Sequence, residues 1–450
     1  MSFLKIKHTE QQSENQHSFK VKPQLLLGMV FLLVLLAFAQ LATAQSPQRS
    51  LEDFIRIAIE QNKKMKIAQT DIEAAAAANE AAKRNGLPAL DASLMGVHVG
   101  KPLNALMPAI SGSASLNITQ PIYTGGKIKL AKNASAKMVD LYLSKKEITE
   151  AELVYGVTTA YLQVVMVKEK IVLAHKYKEM LQSLQKDLKN AYTAGLTYKN
   201  DLLRVEVSLN EAALNLMKAN DGLIMAKLNL AQLVGQPNDT SFDVATIIVP
   251  KLLQLPEATF HDTSNGNNRA EILTLQKAIE LEKIQEKFIQ SELKPTIGLA
   301  ATGLGAAGKK INFSNGKDHM TTYYGILSIA IPIFDWGKNA KKVKEQQFKI
   351  QGRELELEES KEQINLQIQA AFLQLNQSAS KIQLSDLSIK QADENLRLAN
   401  DRYKAGTIVG KEVLEAQLIW QQAYTNTIDA KVEYKINEAY YKRAAGIREF

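Results

Sequence analysis

The sequence contains no cysteine. That excludes a disulfide framework, a thiolate metal site and a lipid-modified N-terminal Cys. Proline is missing where it would do most harm to a helix: none lies between Pro121 and Pro237, and none follows Pro332. Past residue 44 there is no run of about 18 apolar residues, so no transmembrane helix is expected there. Charge of one sign is also lacking. Lys and Arg number 55 against 47 Asp and Glu, a formal net charge of +8. Lys5, Lys7, Lys20 and Lys22 contribute to that excess and precede residue 45; the rest is spread along the chain. A nucleic-acid partner therefore gets little support.

Catalytic and metal-binding patterns are absent too. Beyond residue 44 the histidines are His98, His175, His261 and His319, with no H-E-x-x-H or other ligand spacing. No Gly-x-Ser-x-Gly or Ser/His/Asp arrangement stands out. Neither an enzyme, a metal site nor a cofactor is expected. Gly303-Leu304-Gly305-Ala306-Ala307-Gly308 matches the dinucleotide fingerprint G-x-G-x-x-G, but that motif works only where it opens a helix. Lys309 to Gly316 does not read as helix, so a flexible extracellular hairpin loop is expected.

What the chain does have begins with its N-terminus. Lys20 and Lys22 lead into an apolar run from Leu25 to Ala39, and Ala42-Thr43-Ala44 supplies an A-x-A cleavage site. Residues 1–44 read as a secretory signal peptide.

The remainder repeats itself at an offset of 211 residues. Pro121-Ile122-Tyr123 returns as Pro332-Ile333-Phe334, Gly126-Lys127 as Gly337-Lys338, and Ala160-Tyr161-Leu162-Gln163 as Ala371-Phe372-Leu373-Gln374. Tyr192, Ala194, Gly195 and Gly235 return as Tyr403, Ala405, Gly406 and Gly446. This is an internal duplication. Its units are residues 45–235 and 269–450, joined by an irregular connector, 236–268, that contains Pro237, Pro250 and Pro256.

Each unit carries a long proline-free stretch split once by Tyr-x-Ala-Gly, with a glycine where a helix would end and turn back. Each is therefore a helical hairpin. The first arms, Lys127 to Tyr192 and Lys338 to Tyr403, would be about 100 Å long at about 1.5 Å per residue. Helices of that length need partners. On the returning arm, Leu202, Val205, Leu209, Ala212, Leu216, Ala219, Leu223, Ala226, Leu230 and Leu233 alternate spacings of three and four. That is a heptad seam for a left-handed coiled coil. The second unit repeats it from Val413, Ala416 and Trp420 to Tyr441 and Ala444.

Before each long arm the period changes to two. Leu90, Ala92 and Leu94, then Ala114, Leu116 and Ile118, mark two strands in the first unit. Ile297, Leu299 and Ala301, then Tyr323, Leu327, Ile329 and Ile331, mark two in the second. Gly-rich loops, 100–112 and 303–320, are expected between them. Strands of about ten residues with one apolar face suit a membrane span. Four strands cannot close a barrel, and lipid does not tolerate an open edge. Three chains together would supply twelve. Leu51 to Asn85 and Arg269 to Leu293 read as shorter helices leading into the strands.

With the duplicated unit, Pro-Ile-Tyr-Thr-Gly-Gly-Lys at 121–127, Pro-Ile-Phe-Asp-Trp-Gly-Lys at 332–338 and the two Tyr-x-Ala-Gly tips, the chain resembles the TolC family of outer-membrane factors. The resemblance implies a mixed α+β membrane protein. Four strands per chain are pooled into a trimeric 12-stranded barrel, continued by a coiled-coil periplasmic tunnel. It implies a homotrimer in outer-membrane lipid, working with a periplasmic adaptor and an inner-membrane transporter in efflux or type I secretion. Gly125, Gly126, Asp335 and Gly337 become the strand-to-helix turns. Ala194, Gly195 and Leu196, with Ala405, Gly406 and Thr407, become adaptor-docking tips. In some relatives an acidic pair beyond the second tip rings the tunnel entrance; here those positions hold Glu412 and Glu415. Asp201 and Arg204 are their first-unit matches, and Asp201 joins the entrance set. An Arg that latches some relatives is replaced by Ile408.

A second class fits the long arms alone: a periplasmic coiled-coil adaptor or structural protein without a barrel. Outer-membrane fractionation separates the two.

Overall fold

The computed structural model describes residues 48–245, 266 and 268–447. The expected signal peptide and most of the connector, 246–265 and 267, lie outside the described residues. One compact unit is Arg49–Thr240 with Val244–Phe450; the other has only Gln48 and Ser241–Asp243 among the described residues.

In chain order the large unit contains α1 (Leu51–Gln61), α2 (Lys63–Arg84), β1 (Ala89–His98), β2 (Ile110–Thr124), α3 (Lys127–Thr193) and α4 (Lys199–Val234). The second repeat follows with α5 (Ala270–Gln290), β3 (Thr296–Gly308), β4 (His319–Ala330), α6 (Lys338–Lys404) and α7 (Gly410–Ala444). The long arms α3 and α6 each have 67 residues, as a duplication requires. Among the described residues no helix is long and apolar enough to cross a membrane.

The heptad seams are the cores of the two hairpins. Every seam position on α4 and α7 is buried or half-buried. On α7, Ala430, Tyr434, Tyr441 and Ala444 join one cluster with Ile364, Ile368, Ala371 and Leu375 of α6, and Ile272 of α5 enters the same cluster. Small residues alternating with large ones let the helices approach along their whole length. The hairpins are tied to each other through α3 and α7, where Lys170 pairs with Asp429 at 2.6 Å and Arg443 lies 3.7 Å from Glu152.

The four strands make one antiparallel sheet in the order β1-β2-β3-β4. The middle ladder joins the repeats, from Ser111 opposite Gly308 to Thr124 opposite Thr296. Paired residues share a face. Leu90, Ile118 and Ala301 stand in register, as do Ala92, Leu116 and Gly303, and Leu299 and Leu327. Opposite them lies a polar face. Thr302 Oγ1 donates to Asn117 Oδ1 at 2.8 Å, and the Ser93 and Ser115 hydroxyls are 2.7 Å apart. The apolar face is bare: Leu90, Leu94, Leu116, Ile118, Leu299, Leu327 and Ile329 are all exposed.

Three expectations need correction. Gly303 to Gly308 is not a loop; it is the end of β3, paired with both β2 and β4. Small residues suit it because it lies between two strands at close quarters. A Cβ at Gly308 would come 2.9 Å from Ser111 Cβ. The loops shrink to the residues between the strand ends. Leu51 to Asn85 is two helices, not one. Asn62 divides them: its Oδ1 accepts from Lys64 N at 2.7 Å, while its Nδ2 donates to the Leu233 carbonyl at 2.6 Å. Arg269 to Leu293 ends its α-helix at Gln290 and finishes in a short 3-10 turn.

Candidate functional site

The tips form as the Tyr-x-Ala-Gly signal requires. Ala194 and Ala405 are the last residues with helical dihedrals, and Gly195 and Gly406 follow at φ +73° and +72°. Leu196 N then donates to Ala191 O at 2.8 Å, and Thr407 N to Arg402 O at 3.0 Å. These six-residue closures satisfy helix carbonyls that would otherwise be orphaned. Leu196, Ala405, Gly406 and Thr407 are exposed.

The acidic residues sit just beyond. Asp201 and Glu412 occupy matching places in the first turns of α4 and α7, where a carboxylate complements the helix dipole. Asp201 Oδ2 accepts from Thr197 Oγ1 at 3.1 Å. Glu412 and Glu415 are exposed and three apart, so they share a helix face. Lys411 Nζ lies 3.6 Å from Glu415, a loose surface pair.

Hydrophobic contacts join the two tips. Leu184 and Leu188 of α3, Val205 of α4 and Val413 of α7 form a buried cluster, with Leu202, Tyr403 and Ile408 packed against it. Ile408 thus fills apolar space. Burial pushes the Tyr403 phenol up, helped by the Asp187 and Asp201 carboxylates. The second tip and Asp201 of the first are therefore electrostatic neighbours. Sequence reasoning missed Gly410. It is buried, and a Cβ there would lie 2.8 Å from a Leu188 methyl. Its repeat match is Lys199, so the duplication itself flagged that position as different.

The strand-to-helix turns solve one problem in two ways. In the first repeat Gly125 and Gly126 take φ +66° and +90°. In the second, Gly337 takes φ +75°, but Trp336 occupies the other left-handed position at φ +57°. Asp335 holds that turn: Oδ1 accepts from Gly337 N at 3.0 Å and Oδ2 from Asn339 N at 2.8 Å. Trp336, also missed, packs on Phe334 with ring centroids 4.8 Å apart. His98, His175 and His319 are exposed and far apart in sequence, and among the described residues no group of His, Cys, Asp or Glu could hold a metal ion. His261 lies outside the described residues.

Bare-faced antiparallel strands running into long duplicated helical hairpins define the class of fold. The chain belongs to the outer membrane efflux protein family, whose pattern matches residues 54–236 and 267–446. It is an outer-membrane protein. It is 23% identical over 348 residues to the outer membrane protein TolC of Escherichia coli, covering 74% of this chain and 69% of that one. To the alkaline protease secretion protein AprF of Pseudomonas aeruginosa it is 22% identical over 305 residues, covering 66% and 62%. The Campylobacter jejuni CmeC outer membrane channel shares the fold, with a TM-score of 0.76 at 16% identity, covering 89% of this chain and 87% of that one.

Proposed function

We propose that this chain is one third of a trimeric outer-membrane channel that passes small molecules or polypeptides from the periplasmic end to the exterior. The observation that carries this reading is the sheet. It has one apolar and one polar face, and among the described residues nothing covers the apolar face and β1 and β4 have no second strand neighbour within it. In lipid such a sheet is stable only if its edges close. Three copies close it with twelve strands, apolar outside and polar within.

The duplication supports the same reading further down. Leu173 of α3 lies 5% exposed in the groove against α7, while its repeat match on α6, Leu384, is 68% exposed. In a ring of copies, α6 would meet α4 of the next chain as α3 meets α7 in its own. The exposed Leu203, Val207, Leu214 and Met217 on α4 give it an apolar surface to meet. A barrel-less adaptor would leave both surfaces in water.

In the assembled tunnel Glu412, Glu415 and Asp201 would ring the entrance and set its charge preference. Residues 194–196 and 405–407 would dock the periplasmic adaptor that links the tunnel to an inner-membrane transporter. The relatives' names include both efflux and protease secretion, and either cargo fits this architecture. The test is reconstitution of purified protein in a planar bilayer. Discrete current steps are expected, and trimeric protein that inserts but never conducts would sink the channel reading.

A further inference from the structure

The second strand-to-helix turn departs from the first in a way that fold stability alone does not explain. Bulky residues are uncommon in the left-handed region, and glycine is the residue that suits it. Trp336 occupies it nonetheless, locked by Asp335, and is 89% exposed in the chain. What covers the matching place in the first repeat points to its partner.

The match of Trp336 at the 211-residue offset is Gly125. A Cβ on Gly125 would lie 2.8 Å from Lys294 Cβ and 2.9 Å from the Ser291 carbonyl oxygen, so this turn presses on the segment that leads from α5 into β3. The contact continues along α3. Lys137 pairs with Glu280 at 2.8 Å, and the Ser144 hydroxyl accepts from Lys277 Nζ at 2.6 Å. The beginning of α3 therefore rests on α5, the short helix of the following repeat.

The beginning of α6 rests on α5 of its own repeat, where Asn339 Nδ2 donates to the Ile289 carbonyl at 2.8 Å and Lys342 pairs with Glu292 at 3.0 Å, but no following repeat in the chain supplies it with a second short helix. The matches of Lys137 and Ser144 are Phe348 and Leu355, and both are exposed. A polar contact surface in the first repeat has become an apolar one in the second: Gly, Lys and Ser are replaced by Trp, Phe and Leu. The counterpart of α5 is α2, because each runs into the first strand of its repeat through a proline, Pro295 and Pro88. The counterpart of Lys294 is then Leu87, which is 61% exposed, and Ile67 farther back on α2 is exposed as well.

We infer that Trp336, Phe348 and Leu355 dock on α2 and its exit segment at Leu87 in a neighbouring copy of this chain, closing the ring at the junction of strands and helices. The inference rests on the trimer reading. The change of chemistry fits the change of partner. A contact within one chain is held by its covalent connection, and ion pairs suffice to orient it. A contact between chains must offset lost translational freedom, and buried aromatic anchors are the residues that do so.

The chain has no cysteine, so Trp336→Cys with Leu87→Cys introduces the only two thiols. Mild oxidation, or a short bis-maleimide, should convert the assembled double variant into covalently linked chains on a denaturing gel. Neither single variant should give the same ladder. A trimeric mass with no ladder would overturn this docking and leave the trimer standing, whereas a monomeric mass would overturn the reading beneath it. A second measurement leaves Trp336 itself in place. The chain has two tryptophans, so Trp420→Phe makes Trp336 the sole indole emitter. Its emission should shift to the blue on assembly and resist quenching by lipids with brominated chains. Strong quenching would instead put Trp336 against lipid and overturn the proposal.

Discussion

Leu188 of α3 sits on Gly410 of α7, so close that a Cβ at 410 would come 2.8 Å from one of its methyl carbons. This contact joins a helix of the first repeat to one of the second beside the tips. Gly410→Val should force the two apart. Overpacking a buried contact costs about 1–3 kcal/mol. The expected result is a lower melting temperature and faster proteolysis at the tips. Wild-type proteolysis would show that the tips are not held together here.

Leu216 is buried in the α4 seam. Leu216→Asp puts an unpaired charge there, which is strongly destabilising. Little assembled protein should reach the outer membrane, as read on a gel of membrane fractions. Normal levels would mean that the seam faces water.

Gly195 and Gly406 have open space around them, so a side chain would meet strain rather than collision. A residue forced into that backbone costs roughly 1–2 kcal/mol. The double variant Gly195→Val with Gly406→Val should still assemble but lose export, because a bulkier tip would obstruct the adaptor proposed to dock there. Full export would show that the tips are not a docking surface.

Glu292 accepts a hydrogen bond from Lys342 at 3.0 Å, which holds its carboxyl below the ordinary glutamate range. A depressed folded value means that the pair stabilises the fold above that range. The contribution is lost as pH falls through it. The melting temperature should therefore drop on acidification, and Glu292→Gln should flatten that dependence slightly, since the pair is partly exposed. An unchanged slope would remove the pair from the account.

The seams, the strands and both tips were legible in the sequence because each rests on a local rule: heptad spacing, alternation, or a glycine after a helix. What stayed hidden depends on neighbours distant in sequence. Gly303 to Gly308 has loop composition, but strands on both sides hold it in a ladder. Asn62 breaks a helix without proline or glycine because Leu233 accepts its amide. Gly410 reads as an ordinary helix start until Leu188 is beside it. Trp336 runs against propensity, and no local rule predicts its backbone.

Glu412 and Glu415 would repeat into rings of carboxylates around the entrance, and a charged ring favours counter-ions. Replacing both by Gln should weaken cation preference in reversal-potential measurements across a salt gradient. Lys411 beside Glu415 tempers its share, so Glu412→Gln alone should carry more of the change. Unchanged selectivity in the double variant would place both residues off the conducting path.

The central claim is that three copies pool their strands into a single barrel, and native mass spectrometry of protein extracted from outer membranes tests it most directly. One dominant species of three chains is expected, and heating it in detergent should release single chains as the helical signal falls. A folded, membrane-inserted species of one chain would contradict the account.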